Sequence, residues 1–262
     1  MPDWSQTELD AAFKQLDRDP NNMKWIKRPP HAVQAYGVEL KPSVIQYIRY
    51  PDPSIQLQVV ATEPKRALEW IRNPHPDALL LACKLHGANL ALVKTPTKQM
   101  ILAAVKNDGN IIRLVKNQSE GMQILALGSA PMSFGYFKSP SKYVIQQAIE
   151  RAPNNITYVS KPTTAMQVSA VEKDCSLIYA IRSPCPEAQA IAVKKDPLYY
   201  RRLKHPQEQV TMAYVQTSPS AILSVKNPSK AVKWAAIMAW PESIKYITNL
   251  SPDMVMTATI CA

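Results

Sequence analysis

Lysine or arginine recurs at one spacing through most of this chain: Lys27, Arg49, Arg72, Lys94, Lys116, Lys138, Arg182, Lys204 and Lys226. The step is 22 residues, once 23, and once 44, where Ser160 occupies the place and Lys161 adjoins it. Thr248 stands at the last place in the series. A periodic row of cations suits electrostatic recognition of an acidic or polyanionic partner. It could equally serve structure alone, because a cation at a helix end complements the helix dipole and bonds free carbonyls.

No other set of side chains has a reactive arrangement. His31, His75, His86 and His205 occupy unrelated places in the repeat described below, and Cys83, Cys175, Cys185 and Cys261 lack the spacing of metal ligands. Gly-rich phosphate loops and HExxH, GxSxG and CxxC motifs are absent from the sequence. Glu150, Glu172 and Asp174 could pair for acid–base chemistry, but they read as solvated carboxylates near helix ends. The expectation is a non-enzymatic protein with no catalytic residue, metal ligand or cofactor. The cysteines are expected to be reduced thiols in the cytoplasm.

The row is carried by a repeat that runs from Pro20 to the C-terminus. Its marker is a proline: Pro29, Pro51, Pro74, Pro96, Pro140, Pro162, Pro184, Pro206 and Pro228, with Gln118 and Leu250 filling the remaining places. With the marker numbered as position 10, the cationic row is position 8. Position 7 is always apolar, from Ile26 to Ile247, and position 4 is large and apolar, from Met23 to Ile244. This spacing predicts a first helix of about two turns, ended by the marker proline.

A second helix is predicted from position 12. Asp52, Thr97, Ser119, Ser141, Thr163, Ser229 and Ser251 at position 11 are expected to cap it. Its buried face is formed by positions 14, 18 and 19. Position 18 is alanine in Ala82, Ala104, Ala126, Ala148, Ala170, Ala192, Ala236 and Ala258, and so small enough for close helix approach. Self-similarity at this period predicts an all-α fold, an α-solenoid of about eleven stacked short hairpins. Six glycines beside 23 prolines agree, with proline punctuating short helices rather than marking disorder.

Residues 1–19 hold two basic and five acidic side chains, including Asp3 and Glu8, for a net −3 against +11 for the whole chain. The repeats therefore carry +14. Leu9, Phe13 and Leu16 have helical spacing, so 1–19 is expected to be an acidic N-terminal cap, unlike a signal peptide. Residues 20–262 are expected to form a single solenoid domain. No run of 18 apolar residues occurs, so no membrane association is expected.

Two further columns bear on binding. Position 6 is aromatic at Trp25, Tyr47, Trp70, Tyr136, Tyr158 and Tyr246, but Leu92, Leu114, Ala180 and Ser224 share the place. Packing is therefore expected there rather than base stacking. Position 15 holds Gln34, Gln56, Gln123, Gln167 and Gln189, interrupted by Leu79, Ile101 and Val255, which is too irregular for a code of one base per repeat.

The segment Leu177–Asp196, with Ala180-Ile181-Arg182-Ser183-Pro184 followed by Ala188-Gln189-Ala190-Ile191-Ala192-Val193, resembles a short tandem helical repeat of unknown function from bacteria, phages and large viruses. The segment Met100–Gly109 resembles it too. The resemblance implies stacked helical pairs and an interaction role, with no catalytic residue to carry over. In a phage or virus it implies a protein that acts on a host factor in the host cytoplasm. Together, residues and resemblance lead to the expectation of a binding scaffold whose basic surface engages an acidic protein partner. Sequence-nonspecific binding of nucleic acid along the row is the alternative. The oligomeric state is not indicated.

Overall fold

In the computed structural model, which describes residues 4–261, the repeats form an all-α solenoid of eleven helical hairpins behind one N-terminal helix. The described residues contain no strand. Asp3 of the expected cap and the side chain of Cys261 lie outside the described residues.

The N-terminal helix, Gln6–Arg18, starts at a reciprocal cap. The Ser5 side chain accepts from the Glu8 amide, and the Glu8 carboxylate accepts from the Ser5 amide at 2.8 Å. Leu16 and Ala12 are buried, and Leu9 and Phe13 pack beside them on one face.

The first helix of each repeat differs from the expectation in kind. Ten of the eleven are 3-10 helices, such as Pro20–Trp25, Gly109–Leu114 and Pro241–Tyr246, while Ala67–Trp70 is a short α-helix. Six residues are too few to repay nucleation of an α-helix, and 3-10 geometry eclipses side chains three apart. Most of these helices end at position 6, well before the marker proline. Position 7 is extended, as in Ile26 (φ −85°, ψ 109°), and its amide donates to the position 4 carbonyl. Positions 4 and 7 thus share the core, as Ile45 with Ile48 and Ile112 with Val115 do. Positions 7–9 make the turn, and Arg28, Ser139, Asn227 and Asn249 at position 9 are left-handed, with φ of 46–55°.

The second helix runs from position 12 to position 21 in every repeat but one, where Glu208–Val215 stops two residues early. Asp52, Thr97, Ser119, Ser141, Thr163 and Ser229 cap as expected. Ser251 does not, because its hydroxyl is buried without a hydrogen-bond partner. The alanines at position 18 are buried, and the short helix begins directly against that backbone. A Cβ added to Gly109 would fall 2.2 Å from the Ala126 carbonyl oxygen.

By internal contacts the chain divides into two compact units, Met1–Val144 and Ile145–Ala262, with the division inside the helix Lys142–Arg151. In each unit successive second helices pack side by side and bury most of their position 14, 18 and 19 side chains. None of the described helices is long and apolar enough to cross a membrane.

Candidate functional site

The turn between the two helices of each repeat sets the surface chemistry. Side chains alternate across an extended residue, so with position 7 turned inward, position 8 and most position 6 side chains face solvent, while Trp70 stays half-buried against the core. All nine cations of the row are exposed. Lys27, Arg49, Arg72, Lys94, Lys116 and Lys138 belong to the N-terminal unit, and Arg182, Lys204 and Lys226 belong to the C-terminal unit.

None of the nine enters an ion pair. The ion pairs among the described residues are Arg66–Glu69 at 3.7 Å and, once the histidine is protonated, His75–Asp77 at 3.4 Å. Carbonyl bonding is confined to Lys138, whose Nζ reaches the Val115 and Lys116 oxygens at 3.3 and 3.5 Å. The row therefore lies beyond the helix ends and is not spent on capping them.

The same geometry bears out the expected packing of position 6 at Trp70 and corrects it at the other aromatic residues. Trp25 is 71% exposed, and Tyr47, Leu92, Leu114, Tyr136, Tyr158 and Tyr246 are also exposed. Cations gather on these rings: Lys24 lies 5.0 Å from the Trp25 ring centre and Arg66 5.0 Å from that of Trp70. In the N-terminal unit the surface is thus a strip of paired columns, one apolar or aromatic and one cationic.

The glutamines of position 15 have a structural task. Gln34, Gln56, Gln123 and Gln167 are buried. Gln34 Nε2 donates to the Pro29 carbonyl at 2.9 Å, while its Oε1 accepts from the Asp52 amide of the next repeat at 3.0 Å. Gln56 joins Pro51 to His75 in the same way, at 3.0 and 2.7 Å, and Gln167 joins Pro162 to Cys185 at 3.1 and 2.7 Å. Each is a staple that satisfies two buried backbone groups and fixes one turn against the next. Where the marker proline is missing, Gln118 takes over, bonding the Ile112 and Tyr136 carbonyls and the Lys138 amide. Lys233 at position 15 bonds the Thr248 and Asn249 carbonyls. These glutamines were visible as a column in the sequence. Judged as base readers they look irregular, and it is their burial at a helical register that reveals the staple.

Thr211 interrupts this arrangement. Its hydroxyl turns back to the Gln207 carbonyl and to Tyr200, so neither Pro206 nor Ser229 receives a glutamine. Between these two turns lies an open groove of about 870 Å³ that contains Thr211, Pro206 and Ser229 and is walled by Arg201, Lys204, His205, Lys226 and Glu208. The Glu208 carboxylate accepts from the Ser229 hydroxyl. A threonine at one position 15 carries no signal in the sequence until its neighbours are in place.

The other candidates are not brought together. Glu150 accepts from Gln146 and Gln147 of its own helix. The Ser176 hydroxyl and amide hold the Asp174 carboxyl below its ordinary range, and Ser54 does the same for Asp52. Burial pushes the Cys83 thiol up to about 11 and also raises that of Cys185. Cys175 Sγ lies 3.7 Å from the Tyr199 hydroxyl. The described residues hold no group of three His, Cys, Asp or Glu side chains that could bind a metal. Comparison with protein-family models, curated proteins and solved structures gives no match.

Proposed function

We propose that this protein is a non-enzymatic scaffold whose turn surface docks an acidic protein partner. The observation that carries this reading is the row of nine exposed cations without carboxylate partners, set beside exposed large apolar side chains at position 6. An unpaired cation at a surface gives on-rate and specificity to a negatively charged partner. Exposed aromatic and leucine side chains provide the desolvated contacts that hold a protein interface together. Leu92 and Leu114 fit a protein partner better than a nucleic acid, since they offer no ring for a base.

The test is affinity capture from cells with the wild-type protein and with the Lys94→Glu, Lys116→Glu, Lys138→Glu triple variant, before and after nuclease treatment. A nuclease-resistant protein lost from the variant is the expected result. Retention of every partner by the triple variant at low salt would overturn the reading. Exposed rings at Trp25, Tyr47, Tyr136 and Tyr158 support a second reading, single-stranded nucleic acid stacked along the strip. That reading requires capture that nuclease abolishes and an affinity that falls steeply with salt.

A further inference from the structure

The groove between the turns at Pro206 and Pro228 is where the repeat departs furthest from its own pattern. The second helix there is eight residues long instead of ten, and position 18 is Tyr214 instead of a small residue. Position 4 is Tyr200, whose ring stacks on Tyr214 with centroids 4.0 Å apart, and position 15 is Thr211 instead of a staple. Breaks in a locally consistent pattern concentrate where function overrides packing. The groove is also positive. Arg201, Lys204, His205 and Lys226 wall it against one carboxylate, Glu208, which the Ser229 hydroxyl already engages. The Ser229 amide lacks the glutamine acceptor present at the equivalent Asp52, His75 and Cys185, and it stands at the start of the ten-residue helix Lys230–Ala239. The adjacent groove, at Lys233, is about 430 Å³, half the size.

We infer that this groove is the anchor of the docking surface and seats an extended segment of a partner rich in aspartate and glutamate. The inference rests on the acidic-partner reading above and adds the place and form of the contact. Spaced carboxylates can meet Arg201, Lys204 and Lys226 while avoiding Glu208, and a backbone carbonyl of the segment can take the Ser229 amide. Of the stacked rings Tyr200 and Tyr214, only Tyr200 lines the groove, and one of its faces is already covered by Tyr214.

The experiment is fluorescence anisotropy of a labelled octaglutamate peptide with the full chain at low salt. Thr211→Gln preserves every charge but supplies the missing staple, and it should weaken binding by about tenfold or more by closing the groove. Thr211→Leu, which fills the place as Leu79 does elsewhere, should act alike and serves if the glutamine variant fails to fold. Lys204→Glu with Lys226→Glu should abolish binding, while Lys94→Glu with Lys116→Glu should change it by less than about threefold. Failure of wild type to bind the peptide would sink the acidic-partner reading itself. Equal losses from both lysine pairs, or wild-type binding by a folded Thr211→Gln variant, would leave that reading standing and overturn the groove. An oligothymidylate that competes with the peptide, and loses affinity in the same Thr211 variants, would overturn the choice of a peptide as occupant.

Discussion

Two pairs of neighbouring turns, which differ at position 15 among other places, have opposite properties. Between Pro51 and His75, Gln56 bonds both backbones and is 4% exposed, so the two turns close against each other. Between Pro206 and Ser229, Thr211 is too short to span the gap, and its hydroxyl satisfies itself within its own helix. The backbone groups that a glutamine would cover then line an open basic groove. At these turns the surface is controlled from inside the helix. Gln56 at position 15 bonds one turn to the next, Thr211 at the same position does not, and position 8 supplies charge in either case.

The comparison can be attacked first through the core. Ile112→Ala, at a fully buried position 4 in the regular N-terminal unit, should cost about 2–5 kcal/mol in urea unfolding. Leu203→Ala, half-buried beside the groove, should cost clearly less. Equal losses would mean that the groove region is packed as tightly as the rest.

The staples come next. Gln56→Ala leaves the Pro51 carbonyl and the His75 amide unbonded and should destabilise by about 2–3 kcal/mol. Thr211→Gln should move the opposite way, by about 1 kcal/mol. Unfolding curves in which both changes share a sign would break the link between staple and stability.

Caps are weaker. Asp52→Ala should cost about 1 kcal/mol. Asp52 and Asp174 are both held below their ordinary values by a neighbouring serine. Their contribution is therefore present above the ordinary carboxylate range and is lost as pH falls through the lowered, folded-state value. Melting temperature should drop on acidification, and the Asp52→Asn, Asp174→Asn double variant should drop less steeply. The smallest effect is expected from Lys94→Glu, within about 0.5 kcal/mol, because that side chain has no partner to lose. A larger loss of stability would show that the row contributes to the fold.

Much of this protein was legible before any coordinate. The 22-residue period gave the hairpins, position 11 gave six of seven caps, and positions 14, 18 and 19 gave the core, because burial and capping are local demands that each repeat meets in the same way. What failed was equally local in origin. The apolar residues of positions 4 and 7 are compatible with both α and 3-10 geometry, and the choice was made by a six-residue length between extended ends. The row is periodic in the sequence, but whether it caps helices depends on where the turn places each side chain, which residue type does not record.

Sequence alone determined the all-α repeat, its hairpin boundaries to within a few residues, and the column of positive charge. Tertiary structure alone decided that most position 6 side chains face water, that position 15 glutamines staple successive turns, and that Thr211 leaves one of those turns open. The physical reason is that periodicity records which residues each repeat buries against itself. The direction of a side chain after an extended residue, and the far partner of a buried amide, depend on where the next repeat's backbone lies.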